Sequence, residues 1–226
     1  MISLRVDLLA VASLVEDGSK VLDIGCGDGT LLEFLQQEKN IKGRGIELDE
    51  YNVSKAVSKG LAVVQGDADN DLSNYPTNAV DYAILSQTLQ ATKYPDKVLK
   101  EMMRIAKHGI VSFPNFGYWK NRVYFALKGR MPVTKTLDYE WYETPNIHFC
   151  TIKDFVILCR ELGFKIDEQC YTSSSNDKTF HKHSSMTIAN LLGEFGVFLI
   201  SKGIEVGKTA KIKKPRFKSA AIPAGA

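Results

Sequence analysis

The sequence lacks paired cysteines and metal-binding motifs. Its 226 residues include four cysteines, and none of them forms a C-x-x-C pair or has the spacing of a zinc site. His181 and His183 lie in a serine-rich stretch with no cysteine or acid cluster around them. We therefore expect no bound metal, and we expect reduced thiols in the cytoplasm. The cysteines are Cys26, Cys150, Cys159 and Cys170.

Long apolar runs are also absent. No segment approaches the roughly 20 apolar residues that a membrane-spanning helix needs, so we expect no membrane partner. The stretch Leu8 to Val15 has the size of a signal-peptide core, but Asp7 precedes it, Glu16 and Asp17 follow it, and a cleavage pattern is missing. We interpret this stretch as an amphipathic first helix of a cytoplasmic protein.

Acidic residues are missing from the segment 207–226. This segment contains six lysines and arginines, whereas the whole chain has a net charge of +3, so the rest of the chain sums to −3. Its Lys-, Ala- and Pro-rich composition predicts a disordered, solubilising tail, with contact to nucleic acid or a membrane surface as the alternative. Because no aromatic platform accompanies the tail, we expect no nucleic-acid partner. We expect residues 1–206 to form a single α/β domain.

Short apolar runs alternate with helical patterns through most of the chain. This alternation predicts βαβ units and a doubly wound, mostly parallel sheet with helices on both faces. The predicted strands are 20–24, 42–46, 61–65, 80–85, 110–113, 164–171 and 195–201, and the predicted helices include 30–37, 51–58, one that begins at Pro95 and one over 151–162, capped by Thr151.

Residues 114–149 interrupt the alternation. The segment is rich in aromatic residues, as in PNFGYW and YEWYETPNIH, and is too long for a routine connection. Long ordered loops are usually functional. We therefore predict an aromatic insertion or lid here.

Three glycines follow the first predicted strand, in the sequence VLDIGCGDG (21–29). Glycine permits positive φ and lets the backbone approach a ligand closely, and the following helix offers free N–H groups. Dinucleotide-binding folds use G-x-G-x-x-G, whereas this motif reads D-x-G-x-G-x-G. That spacing resembles the first motif of class I S-adenosylmethionine (SAM) methyltransferases. A NAD-linked oxidoreductase is the alternative, but the glycine spacing and the lack of a clear hydride-transfer base count against it.

The resemblance implies a class I methyltransferase fold and SAM or S-adenosylhomocysteine (SAH) as cofactor. This Rossmann-like fold has a seven-stranded, mostly parallel sheet with an antiparallel last strand. Glu47, at the end of the second strand, can accept hydrogen bonds from both ribose hydroxyls. Asp67 follows the third strand, where the resemblance implies a bond to the adenine amine. The candidate cofactor-binding residues are Asp23, Gly25, Cys26, Gly27, Asp28, Gly29, Glu47, Leu48, Asp67, Ala68, Leu85, Ser86 and Gln87.

A narrower resemblance covers about residues 4–201. The segments LSQTLQAT (85–92), EMMRIAKHGIVSFPNFGYWKNR (101–122), GRMPVTKTLDYEWYETPNIHFCTIKDF (129–155) and CRELGF (159–164) are similar to those of the MetW family. Members of that family have the class I methyltransferase fold and are associated with methionine biosynthesis. The resemblance implies homoserine O-acetyltransferase as a partner that the protein supports.

Two hypotheses follow. As an enzyme, the protein would transfer a methyl group to a small molecule, with His148 as candidate base and Asn115, Tyr118, Gln87 and Asn146 holding the substrate. The Asn-Pro-Pro-aromatic signature of base methylation is absent, which argues against a nucleic-acid substrate. As an accessory or regulatory subunit, it would bind SAM and dock on the acetyltransferase. The partner anchors would then be Trp119, Arg130, Met131, Trp141 and Tyr142. The sequence pattern for SAM binding is clearer than any pattern for binding a methyl acceptor, so we favour the accessory role.

Overall fold

The computed structural model describes residues 4–134, 137, 139–172, 180–182 and 185–203. The predicted tail, 207–226, lies outside the described residues, as do His183 and the serine-rich positions 173–179.

One mixed sheet organises the described chain. Its strand order is β3-β2-β1-β4-β5-β8-β6-β7. The pairs from β3 to β5 are parallel, whereas β8 runs antiparallel to both β5 and β6. This confirms the predicted sheet with an antiparallel last strand, to which β7 adds a short edge. The strands are β1 (Lys20–Ile24), β2 (Lys42–Glu47), β3 (Val63–Gln65), β4 (Val80–Ser86), β5 (Ala106–Pro114), β6 (Phe164–Thr172), β7 (Phe180–Lys182) and β8 (Phe195–Lys202).

Helices cover both faces of the sheet, so each face has its own apolar core. On one face α1, α2 and α3 pack against the sheet, and on the other face α4, α6 and α7 do so. The second core contains three mutually contacting rings, Phe113, Phe155 and Phe198. Burial on both faces explains why the central strands are nearly continuous apolar runs. The helices are α1 (Val6–Ser13), α2 (Thr30–Lys39), α3 (Glu50–Ser58), α4 (Pro95–Ile105), α5 (Trp119–Lys128), α6 (Ile152–Glu161) and α7 (Met186–Leu192).

Local signals placed several helix boundaries correctly. Pro95 is the first residue of α4, and Thr151 caps α6 in a full capping box, in which Thr151 and Asp154 bond each other's backbone N–H groups. The predicted start of the fifth strand, at residue 110, was four residues too late. The strand begins at Ala106, directly after α4, and Gly109 lies inside it, where a Cβ would come within 3.0 Å of Met103 and Ile200. Close packing therefore explains this glycine.

The aromatic stretch contains a helix that the sequence did not reveal. Helix α5 buries only Asn121, and its other side chains are exposed. Its apolar residues therefore do not mark a face packed on the core, which is the pattern that helix prediction relies on. Among the described residues, no helix is long and apolar enough to cross a membrane.

Candidate functional site

The glycine turn between β1 and α2 has the conformation that its sequence predicts. Gly25, Gly27 and Gly29 all have positive φ, at 72°, 56° and 77°. A Cβ at Gly25 would collide with the Thr88 side chain, and one at Gly29 with the Leu61 side chain, whereas a Cβ at Gly27 would meet nothing within 4 Å. The outer glycines thus allow close packing, and the middle one borders open space.

That open space is a cavity of about 370 Å³ beside the turn. It lies where β1 and β4 pair and the chain order reverses, which is the switch point where open α/β sheets bind ligands. The structure brings seven of the predicted cofactor-binding residues together here. The lining residues are Leu4, Arg5, Leu8, Asp23, Gly25, Cys26, Gly27, Asp28, Thr30, Leu31, Ser86 and Gln87.

Asp23 is a buried acid at the base of this cavity. Its side chain is 1% exposed, and its Oδ1 atom has no hydrogen-bond partner in the described structure. Burial, helped by the nearby charge of Glu47, raises the pKa of Asp23 from 3.8 to about 7. An unsatisfied buried carboxylate oxygen is costly, so it suits a ligand that brings a hydrogen-bond donor or a positive charge.

Glu47 holds the glycine turn from the end of β2. Its Oε2 atom accepts a hydrogen bond from the Gly27 N–H at 2.7 Å, and its Oε1 atom accepts one from the Asp49 N–H at 3.0 Å. The Ile46 carbonyl adds bonds from the N–H groups of Gly25 and Cys26. A carboxylate has further lone pairs for a ligand hydroxyl, so Glu47 can hold the turn and a ribose together.

Asp28 is engaged at the start of α2. It accepts hydrogen bonds from the N–H and hydroxyl of Thr30, at 3.1 and 2.6 Å, and lies 3.0 Å from the Lys59 ammonium. Partial burial raises the pKa of Asp28, but the bonds from Thr30 and Lys59 outweigh it and the net shift is downward. Asp28 therefore stays charged and helps to fix the start of the helix.

The end of β4 contributes two polar side chains. Ser86 lies 3.1 Å from Ser112, oxygen to oxygen, and Gln87 donates from Nε2 to Asp7 at 2.8 Å. Gln87 has φ of 59°, which is uncommon for a residue other than glycine and turns its side chain out of the strand pattern. Leu85 is fully buried in the core, so its side chain does not line the cavity.

The predicted adenine contacts do not line the cavity. Leu48 is exposed, and Ala68 packs against the core that contains α4. The Asp67 carboxylate accepts bonds from the Asp69 N–H and from Asn70, at 2.8 and 2.7 Å, and so closes its own turn after β3. The cavity thus corresponds to the part of the predicted site nearest the glycine turn and β4.

Sequence reasoning missed the contribution of α1 and the residues just before it. Leu4, Arg5 and Leu8 line the cavity, and Asp7 is buried and joined to Gln87. The sequence indicated an amphipathic helix near this place, but an apolar stripe does not tell where a helix crosses the sheet.

His148 lies at a different cavity. This second cavity, of about 340 Å³, is bordered by the starts of α4 and α6 and shares no lining residue with the first. The His148 ring is exposed, and its Nε2 atom lies 3.3 Å from the Lys93 carbonyl oxygen. Burial raises the pKa of the neighbouring Cys150 to about 11, so that thiol is not activated.

The predicted substrate residues Asn115, Tyr118 and Asn146 do not line the first cavity. Asn115 is buried, and its amide makes four hydrogen bonds, to the carbonyls of Asn190 and Gly193 and from the N–H groups of Gly117 and Ile152. All donors and acceptors of its amide are thus engaged within the protein, and its role in holding a substrate stays a prediction. Tyr118 is buried, and Asn146 borders a small cleft of about 30 Å³.

The predicted partner anchors lie mainly at the surface. Trp141 and Tyr142 are exposed and contact each other edge to face, with ring centroids 5.6 Å apart. Trp119, the first residue of α5, and Arg130, two residues beyond its end, are also exposed, and Met131 is half-buried. Met131 and Trp141 also border the same small cleft.

Comparison with known proteins identifies relatives over most of the chain. The family model for methionine biosynthesis protein MetW matches residues 5–200. A bifunctional methionine biosynthesis protein MetXA/MetW from Rhodopirellula baltica is 34% identical over 179 residues, which cover 75% of this chain and 29% of the relative. The 2-methyl-6-phytyl-1,4-hydroquinone methyltransferase 1 of Oryza sativa is 28% identical over 66% of this chain and 47% of its own length. The chain thus spans less than half the length of either relative.

Solved structures share the fold at low sequence identity. A SAM-dependent methyltransferase from Thermotoga maritima, described as a possible histamine N-methyltransferase, has a TM-score of 0.66 at 23% identity and covers 87% of both chains. One from Archaeoglobus fulgidus has a TM-score of 0.63 at 18% identity, covering 86% of this chain and 91% of that one. The [4+2]-cyclase SpnF has a TM-score of 0.60 at 20% identity, covering 88% and 80%. The class I methyltransferase fold is therefore shown, and the cyclase illustrates that this fold alone does not define a reaction.

Proposed function

The chain belongs to the MetW family of methionine biosynthesis proteins, and from this premise we propose that it is a SAM-binding accessory or regulatory partner of homoserine O-acetyltransferase. The observation that most favours this role is that the candidate SAM-binding residues and the candidate catalytic base lie at two separate cavities. The cavity beside the glycine turn has features that suit the amino-acid end of SAM, whereas the candidate base, His148, lies at another cavity.

Two features of the first cavity fit SAM or SAH. The open space above Gly27 is space that a Cβ would occupy, and the unpartnered Oδ1 of Asp23 suits a donor such as an ammonium group. Similar solved structures are described as SAM-dependent methyltransferases, which supports SAM or SAH binding. In this proposal Gly27 gives the backbone approach, Glu47 accepts from the ribose hydroxyls, and Asp23 faces the amino-acid end.

The adenine end of the ligand would involve a separate set of residues. We propose that Leu48, Asp67 and Ala68 lie along the adenine, at the ends of β2 and β3. Asp67 retains lone pairs beyond the two bonds within its turn, so it can still accept from an adenine amine.

The partner assignment rests on a relative and on a surface. The Rhodopirellula baltica relative is described as bifunctional MetXA/MetW, so one chain there joins a MetW part to another part. The family resemblance implies that this other part corresponds to the acetyltransferase. The exposed Trp119, Trp141 and Tyr142 provide the kind of aromatic anchors that interfaces favour.

A second candidate function is methyl transfer to a small molecule. It is favoured by the second cavity, which is mostly apolar and has His148 at its border. Bound SAM would supply a sulfonium leaving group, and the protein would need to position an acceptor in a dry pocket. Because His148 is exposed and lies outside the first cavity, we place this function second.

Calorimetric titration with SAM, alone and in the presence of the host's homoserine O-acetyltransferase, tests the proposal. If the protein is a linked regulatory subunit, SAM should bind and should change the affinity for the acetyltransferase, and the acetyltransferase should change the affinity for SAM by the same factor. A coupling of about 5- to 150-fold is typical. SAM binding without any effect on the partner would instead make methyl transfer the leading function, and no SAM binding at all would overturn both.

A further inference from the structure

Arg5 is the single positively charged side chain among the residues that line the cavity beside the glycine turn. The other charged lining residues are the acids Asp23 and Asp28. Arg5 immediately precedes α1, and its side chain is 60% exposed, so its guanidinium is accessible to a ligand. The cavity therefore combines one positive side chain with two acidic ones, which suits a ligand that carries both a negative and a positive group.

Arg5 is held in place by a buried acid. Its Nε and Nη2 atoms donate to the two oxygens of Asp7, at 3.2 and 3.1 Å. Asp7 is only 2% exposed and also accepts a hydrogen bond from Gln87 at the end of β4, at 2.8 Å. This chain of bonds fixes the guanidinium relative to β4 and therefore relative to the cavity.

The bonds to Asp7 leave much of the guanidinium free. An arginine has five N–H donors in a planar fork, and the two described bonds use one on Nε and one on Nη2. The Nη1 donors and the second Nη2 donor remain. These are the groups with which arginine binds a carboxylate in a bidentate manner.

We propose that Arg5 binds the carboxylate of the amino-acid end of SAM or SAH and makes the site selective for ligands that have this end. This inference depends on the proposed SAM binding and adds a specificity residue to it. Asp23, at the base of the cavity, has an unpartnered oxygen for the ammonium, and Arg5 has free donors for the carboxylate. The two charges thus match the two charges of an amino acid, and the exposed position of Arg5 allows the carboxylate to remain near solvent.

A structural role for Arg5 is the alternative. In that case the arginine serves only to satisfy Asp7 and to anchor the start of α1. A change at Arg5 would then affect all ligands of the cavity equally, through the position of α1. The difference between the two roles is visible with a pair of ligands that differ only at the amino-acid end.

SAH and 5′-methylthioadenosine form such a pair, because both contain the adenosine and the sulfur and only SAH has the amino-acid end. Both ligands should be titrated into the wild-type protein, into Arg5→Gln and into Arg44→Gln. Arg44 is an exposed arginine on β2 that does not line the cavity, so its variant controls for the loss of one positive charge. Thermal unfolding of each variant checks that the fold is intact.

We expect Arg5→Gln to weaken SAH binding about tenfold or more and to leave 5′-methylthioadenosine binding within about twofold, because a charged hydrogen bond is lost only for SAH. Arg44→Gln should bind both ligands as the wild type does. Arg5→Lys keeps the charge but not the fork, so it should retain part of the preference for SAH. It also supplies a second variant should Arg5→Gln fold poorly.

Two kinds of contrary result can be told apart: one overturns the role of Arg5 alone, and the other overturns SAM binding as well. Unchanged SAH affinity in Arg5→Gln, or an equal loss for both ligands, would overturn the role of Arg5 while leaving SAM binding intact. If the wild-type protein binds neither ligand, the proposed SAM site is itself wrong and the role of Arg5 falls with it.

Discussion

Asp23 shows how one residue can link folding, pH and ligand binding. It follows an apolar strand segment and is buried at the base of the cavity, where burial and the charge of Glu47 raise its pKa from 3.8 to about 7. A carboxyl group whose pKa is raised by folding favours the folded state most at a pH where it is protonated in both the folded and the unfolded protein. That contribution is present below about pH 4 and is lost as the pH rises to about 7.

We therefore expect the wild-type protein to lose stability relative to Asp23→Asn as the pH rises from 4 to 7, with a slope of about 1.4 kcal/mol per pH unit. Asparagine has a similar shape and cannot ionise, so it removes the charge that the fold must bury. Urea unfolding of both proteins at several pH values measures the difference. A difference that does not vary with pH would mean that Asp23 is ionised with an ordinary pKa, and that the cavity base is not as dry as its burial indicates.

Gly27 lines the cavity, and a Cβ added to it would meet no protein atom within 4 Å. Replacing it with alanine should lower the free energy of unfolding by about 1–2 kcal/mol, because φ is positive there, and should weaken SAM binding strongly, because the Cβ enters the ligand's space. Gly60→Ala is a matched control, since Gly60 has φ of 79°, has no atom within 4 Å of its added Cβ and does not line the cavity.

Unfolding measurements and SAM titrations of the two variants separate strain from ligand exclusion. Both should lose similar stability, and only Gly27→Ala should lose affinity for SAM. Wild-type affinity in Gly27→Ala would contradict the assignment of the glycine turn as the ligand cradle.

Helix α5 is the element whose surface most needs an explanation. It exposes Val123, Tyr124, Phe125 and Leu127, and its buried residue is the polar Asn121. Lys120, Arg122 and Lys128 lie on the same helix, and no acid occurs in it. A basic helix with an exposed apolar side is suited to a partner surface that has apolar residues beside acidic ones.

Leu127→Glu tests this role of α5. Leu127 is 78% exposed and glutamate is a good helix former, so the free energy of unfolding should change by less than about 0.5 kcal/mol. If α5 docks on the acetyltransferase, the charge should weaken that complex about tenfold or more. Val57→Glu adds the same charge at an exposed apolar position on α3 and should leave the complex unchanged. Binding by the acetyltransferase can be followed by calorimetry, and equal affinity for all three proteins would exclude α5 from the interface.

At the scale of the whole molecule, the sheet separates two regions with different character. The first cavity lies beside β1, β4 and α1, and the second lies between the starts of α4 and α6. A ligand in the first cavity would contact two separate parts of the chain, residues 4–31 and residues 86–87. Bound SAM would therefore stabilise the folded protein, by a free energy that grows with the logarithm of the SAM concentration once this exceeds the dissociation constant.

The sequence predicted most of the sheet and the conformation of the glycine turn. The glycine turn, the strand that precedes it and the capping box at Thr151 depend on neighbours in the chain, so their residue types reveal them. Helix α5 was not predicted, because its exposed apolar side chains do not follow a core-facing pattern. The position of Gly109 inside β5 was also missed, because its close neighbours Met103 and Ile200 are brought to it by packing.

By itself, the sequence determined the fold class, the family and the turn that only glycine permits, since these follow from spacing and local conformation. The tertiary structure decided which side chains meet. The parallel pairing of β1 with β4 brings the region of Asp23 next to Ile84 and so to Gln87, and α1 adds Arg5 to the same cavity. The tertiary structure also engages the Asn115 side chain in four internal hydrogen bonds and places His148 at a separate cavity. Such distances between residues far apart in the chain depend on strand register and helix packing, and single-sequence patterns do not record them.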